Sequence, residues 1–100
     1  MNVMVDLCVV PLGVGVSVSE YIVECERLIR DAGLNAQLHP YGTVIEGEWD
    51  VVMEVVKQCH EKVHAMGAPR ISTSMRVGTR VDRRQAMQDK LDSVTDKLDR

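Results

Sequence analysis

A chain of 100 residues supplies one domain, and a domain of that size buries only about 60–68% of the surface its unfolded form exposes. Hydrophobic residues make up 45% of the chain but aromatics only 3%, with no Phe, so the core must be built from Val, Leu, Ile, Met and Cys, and self-association would bury more. A net charge of -3 and a pI near 5.5 argue against nucleic acid and anionic membrane as partners, since both need clustered Lys and Arg.

Val3 to Leu12 is rich in β-branched and apolar residues, interrupted by Asp6 and ended by Pro11-Leu12-Gly13. It predicts a strand buried largely on both faces. It carries no basic leader and is too short to cross a membrane. Cys8, Cys25 and Cys59 are odd in number, widely spaced and form no Cys-x-x-Cys, which suits a reducing compartment. A soluble, cytoplasmic protein is expected.

After Gly13-Val14-Gly15, Ser17 and Glu20 have the spacing of a capping box. The helix that follows carries Val18, Tyr21, Ile22, Cys25, Leu28, Ile29 and Ala32 on one side, and Gly33 supplies its stop. Asn35 to His39 and Thr43 to Glu46 read as a hairpin turning at Pro40 and relaxed by Gly42. Trp49 to Met66 is a second helix with an apolar stripe of Val52, Val55, Val56, Cys59, Val63 and Met66, ended by Gly67 and Pro69. Arg70 to Gly78 alternates Arg70, Ser72, Ser74 and Arg76 with Ile71, Thr73, Met75 and Val77, a strand with one polar face. Beyond a basic, irregular Arg80 to Arg84, a third helix from Gln85 aligns Met87, Leu91, Val94 and Leu98 in a narrow seam suited to one groove or a neighbouring subunit.

This order predicts an α+β fold, the ferredoxin-like βαββαβ sandwich: a four-stranded antiparallel sheet, two helices on one face, and an added C-terminal helix, in a single domain over residues 1–100. The other sheet face then needs a subunit, a ligand or water.

His60-Glu61-Lys62-Val63-His64 matches the His-Glu-x-x-His zinc pattern and runs on to Gly67. Arg70 stands where the third His of the extended motif belongs, and no Glu follows Glu61 to replace it. A catalytic zinc needs three protein ligands, so the motif is read as two histidines on an ordinary helix and no metal is expected. Gly13-Val14-Gly15 lacks the third Gly of a dinucleotide fingerprint, Val18 standing in its place.

The densest polar stretch is Gly42-Thr43-Val44-Ile45-Glu46-Gly47-Glu48-Trp49-Asp50. Two readings of it stand side by side. In one, Gly47 enables a turn, Glu48 and Asp50 complement the helix N-terminus, and Trp49 closes the core edge. In the other, Glu46 faces a ligand or a partner's Arg, framed by Thr43 with Tyr41 or Trp49.

Val9-Val10-Pro11-Leu12-Gly13, Gly42-Thr43-Val44-Ile45-Glu46-Gly47 with Trp49-Asp50, and Arg76-Val77-Gly78-Thr79-Arg80 with Asp82 together resemble the small thiamine-binding-protein-like family over nearly the whole chain. The resemblance implies a ferredoxin-like fold, a homotetramer built as a dimer of dimers through the sheets, and a non-catalytic role in binding thiamine or its hydroxymethylpyrimidine portion, with no other cofactor. Such a ligand, cationic and aromatic in the case of thiamine, calls for carboxylates, hydrogen-bonding groups and a ring or apolar wall. Asp6, Tyr41, Thr43, Glu46 and Trp49 would supply these, while Arg76 and Arg80 would pair with Glu46 across an interface or hold an anion such as a phosphate ester. The alternative is a protein-interaction or regulatory assembly module whose charged cluster is structural.

Overall fold

In the computed structural model, which describes residues 1–84 and 86–99, strands and helices follow the expected order. β1 (Asn2–Leu12) buries Val3, Val5, Leu7 and Pro11 on one face, while Met4, Asp6 and Cys8 on the other are half-buried and Val10 is exposed. Burial on both faces, expected from the apolar run, is therefore achieved on one only. The physical reason is that both α1 and α2 lie on the same side of the sheet.

α1 (Ser19–Asp31) meets the core through Cys25 and Ile29, and Gly33 adopts a φ of 72° just past its end, where a side chain would be strained. The Ser17–Glu20 capping box does not form. Helical geometry begins at Ser19, so Val18 occupies the cap position and offers no side-chain acceptor.

β2 (Asn35–His39) and β3 (Gly42–Glu48) form the hairpin through Pro40-Tyr41. Gly42 serves close approach rather than an unusual dihedral: a Cβ there would sit 2.5 Å from the Leu7 carbonyl oxygen of β1. Gly47 likewise makes room, since a Cβ would sit 2.6 Å from a methyl of Leu34.

α2 (Trp49–Ala65) packs Val52, Val55, Val56, Cys59 and Val63 onto the sheet, in keeping with its stripe. β4 (Arg70–Thr79) returns antiparallel to β1, and α3 (Met87–Leu98) completes the chain. The helix start expected at Gln85 lies outside the described residues.

The sheet order is β2-β3-β1-β4, with every neighbouring pair antiparallel, which is the ferredoxin-like arrangement. Val5, Ile29, Ile45, Val52 and Val63 are fully enclosed between sheet and helices, and each such side chain contributes about 1.5–3 kcal/mol by leaving water. Of the α3 seam only Met87 is buried; Leu91, Val94 and Leu98 are exposed. The radius of gyration, 15.0 Å, accordingly exceeds the ~13 Å of a compact chain this long. No helix among the described residues is long and apolar enough to cross a membrane.

Candidate functional site: a charged groove on the open sheet face

The ladder registers fix which side chains share the uncovered face. Gln37, Val44, Asp6 and Arg76 form one row across the four strands, and Asn35, Glu46, Met4 and Gly78 the next. Residues directly opposite in antiparallel strands project to the same side. A groove of about 750 Å3 lies over these rows, with Met4, Asp6, Val44 and Glu46 in its floor. Arg76 and Arg80 from β4 and its exit form one wall, continued by Arg83, Arg84 and Lys90. Its size is that of an ordinary small-molecule site.

Both carboxylates in the floor already have partners. His39 Nδ1 accepts the Tyr41 backbone N–H at 3.2 Å, which places the ring proton on Nε2, and Nε2–H donates to Asp6 Oδ1 at 2.7 Å. The Glu46 carboxylate accepts from the Asn35 side-chain amide through Oε1 and from the Met87 backbone N–H through Oε2, the latter at 2.7 Å. Met87 opens α3, where backbone donors lack intrahelical acceptors, so Glu46 serves as an acceptor that ties this helix to the sheet.

Arg80 grips Asp82 with two nitrogens, at 2.6 and 2.9 Å, and this hydrogen bonding holds the Asp82 carboxyl down at about 2. Arg76 lies opposite Asp6 in the ladder, yet Asp6 is engaged by His39. Arg76, Arg83, Arg84 and Lys90 take part in no ion pair among the described residues.

Of the residues singled out from the sequence, the structure thus brings Asp6, Glu46, Arg76 and Arg80 to one groove. Tyr41 lies exposed in the β2–β3 turn, away from it. Thr43 is buried on the opposite, helix-facing side, where its hydroxyl donates to the Glu26 carboxylate of α1. Trp49, the first residue of α2, packs against the helix-side core. Sequence reasoning misses His39, Asn35, Lys90 and the Arg83-Arg84 pair, although the alternation of Asn35, Gln37 and His39 along β2 puts the first two of these on one face.

The His-Glu-x-x-His pair is tied into the fold. His60 Nε2 lies 2.6 Å from Thr73 Oγ1 on β4, and His64 Nδ1–H donates to the Ala68 carbonyl at 2.8 Å. Among the described residues no three His, Cys, Asp or Glu are grouped to hold a metal ion. Cys25 and Cys59 are buried between α1 and α2, and the hydrogen bond that the Cys59 thiol donates to Cys25, with burial, pushes that thiol up.

Fold and groove define a class: a ferredoxin-like α+β domain with an open, charged sheet face. Residues 5–95 match the family described as Thiamine-binding protein, and the chain belongs to that family. It is 62% identical to the UPF0045 protein sll0230 of Synechocystis over 94 residues, which is 94% of this chain and 78% of that protein. It is 48% identical to the UPF0045 protein ECM15 of Eremothecium gossypii, covering 98% of this chain and 94% of that one. Among solved structures it resembles MJ1052 of Methanocaldococcus jannaschii, with a TM-score of 0.86 and 26% identity over 94% of this chain and 96% of that one. TM0486 of Thermotoga maritima shares the fold with a TM-score of 0.80 at 21% identity, over 94% of this chain and 99% of that one.

Proposed function

We propose that the protein is a non-catalytic, cytoplasmic binder of thiamine or its hydroxymethylpyrimidine portion, acting as a homo-oligomer, with the ligand seated in the open-face groove. Membership of the thiamine-binding family supports the ligand class. The observation that carries the location is the groove itself, which gathers Asp6, Glu46, Arg76 and Arg80, drawn from three separate strands and the β4 exit, over an apolar floor of Met4 and Val44. Both floor carboxylates are committed to intrachain donors, which favours recognition over proton transfer by either group.

Self-association as a dimer of dimers would cover the open face and the exposed Leu91, Val94 and Leu98 of α3. Titration calorimetry of the folded protein with thiamine and with hydroxymethylpyrimidine, carried to millimolar ligand, tests the reading. Heat of binding to either is expected, and silence from every thiamine-related compound in a folded oligomer would refute it. The exposed α3 seam favours a second reading, a protein-interaction module without a thiamine ligand. In that case Leu91→Asp would release a protein partner from a chain that takes up no thiamine compound.

A further inference from the structure

The charge of the groove is opposite to that of the protein. The chain as a whole carries 15 acidic and 12 basic residues. The groove, in contrast, gathers Arg76, Arg80, Arg83, Arg84 and Lys90 against only Asp6 and Glu46. Existing bonds leave the groove basic and take up oxygens of both its acids. Asp6 accepts from His39, and Glu46 accepts from Asn35 and the Met87 N–H, so the acidic side has its donors already. Arg80 is occupied by Asp82, but Arg76, Arg83, Arg84 and Lys90 have no ion-pair partner among the described residues. Four cations without an ion-pair partner among the described residues, against two carboxylates, leave the concavity net basic, which disfavours a cationic ligand and focuses attraction on an anion.

An unphosphorylated thiamine, a monocation, is therefore poorly matched to this wall. Adding a phosphoryl group reverses the match, because it brings a charge of about -1.5 to -2 near neutral pH and three strong acceptor oxygens. Arginine guanidinium groups present paired N–H donors that fit such oxygens bidentately, and Lys90 adds a point charge. Met4 and Val44 in the floor, beside the basic wall, offer the apolar surface a flat heteroaromatic ring needs.

Resting on the thiamine-related reading above, we propose that the groove selects the phosphorylated form of its ligand, a phosphate ester of hydroxymethylpyrimidine or of thiamine. The phosphoryl group lies against Arg76, Arg83, Arg84 and Lys90, and the ring lies over Met4 and Val44.

Calorimetry of the full-length chain with hydroxymethylpyrimidine, its monophosphate, thiamine, thiamine monophosphate and inorganic phosphate tests this at two salt concentrations. The monophosphates are expected to bind at least about tenfold more tightly than their parent alcohols, as one charge-assisted contact alone would give, and the advantage should shrink as salt rises. Arg76→Ala and the double variant Arg83→Ala/Arg84→Ala should each remove most of that advantage, read within each variant as the ratio of monophosphate to parent-alcohol affinity. Arg76→Lys, which keeps the charge, should restore part of it. All three positions are exposed, and an unchanged circular dichroism spectrum confirms folding.

Equal affinity for phosphorylated and unphosphorylated forms overturns the proposal and leaves the thiamine-related reading standing. Inorganic phosphate binding as tightly as the monophosphates also overturns it, because the ring then contributes nothing. No binding of any of the compounds overturns both.

Discussion

Replacing Glu46 by Ala removes an acceptor that joins β2, β3 and α3. Two hydrogen bonds to a carboxylate are lost, from the Asn35 amide and from the Met87 N–H. Bonds to a charged group are each worth about 1.5–3 kcal/mol when shielded, but this carboxylate is only partly buried, so a combined loss of about 1–2 kcal/mol is expected. For a domain of this size that lowers the melting temperature by roughly 4–16 °C. The sharper readout is local. The amide of Met87, at the first position of α3, has no intrahelical acceptor, so its protection from hydrogen exchange depends on Glu46. In Glu46→Ala its exchange should quicken about tenfold or more, while amides of the core strand at Val5 and Ile45 keep their protection relative to global stability. Glu46→Gln, which keeps one carbonyl acceptor, should fall between the two. If Met87 exchanges at the same rate in Glu46→Ala as in the parent chain, the link between helix and sheet is not made as described.

Three further outcomes follow from particular contacts. Gly42→Ala places a Cβ 2.5 Å from the Leu7 carbonyl oxygen, so β1 and β3 must move apart. Urea unfolding should show a loss of about 1–3 kcal/mol, and an unchanged midpoint would refute the close approach. The carboxyl of Asp82 should titrate near about 2 instead of 3.8 in a carbon-detected NMR titration, and Arg80→Ala should return it upward. Because the folded value is depressed, whatever stabilisation the pair gives is present above 3.8 and is lost as pH falls through about 2; it is small for so exposed a pair. In the native protein a thiol reagent should titrate Cys8, which is half-buried, well before Cys25 and Cys59, which are buried and should react only on unfolding. Equal rates for all three would contradict the packing of α1 on α2.

The framework was legible because its signals are periodic. The stripe from Val52 to Val63, the alternation along β4 and the stops at Gly33 and Gly67 each follow from helical or strand geometry, and these elements appear within a residue or two of where the sequence puts them. The faces were harder. Thr43 and Glu46 are three residues apart on one strand, so they project to opposite sides: Glu46 over the groove, Thr43 into the helix layer toward Glu26. Reading them as one pocket wall ignored the two-residue period of the strand. The Asp6–His39 contact was illegible for another reason. It joins β1 to the far end of β2, across β3, and no local pattern reports which side chains meet over an intervening strand. Nor does local pattern show α3 folding its first turn back to Glu46.

Glu46 illustrates how a conspicuous carboxylate can be structural and still shape a site. Its bonds to Asn35 and Met87 occupy both carboxylate oxygens, and they hold the start of α3 beside the sheet. Lys90 lies less than one helical turn beyond Met87, so the same anchor sets where that ammonium group sits relative to Arg76 on β4. The acid therefore contributes to an anion-attracting groove by positioning a cation, at the cost of its own charge. Loosening that anchor should weaken a phosphorylated ligand even though Glu46 itself carries the same sign of charge as the phosphoryl group. Simple charge removal would strengthen binding instead, so the direction of change in Glu46→Gln separates an electrostatic role from a positioning one.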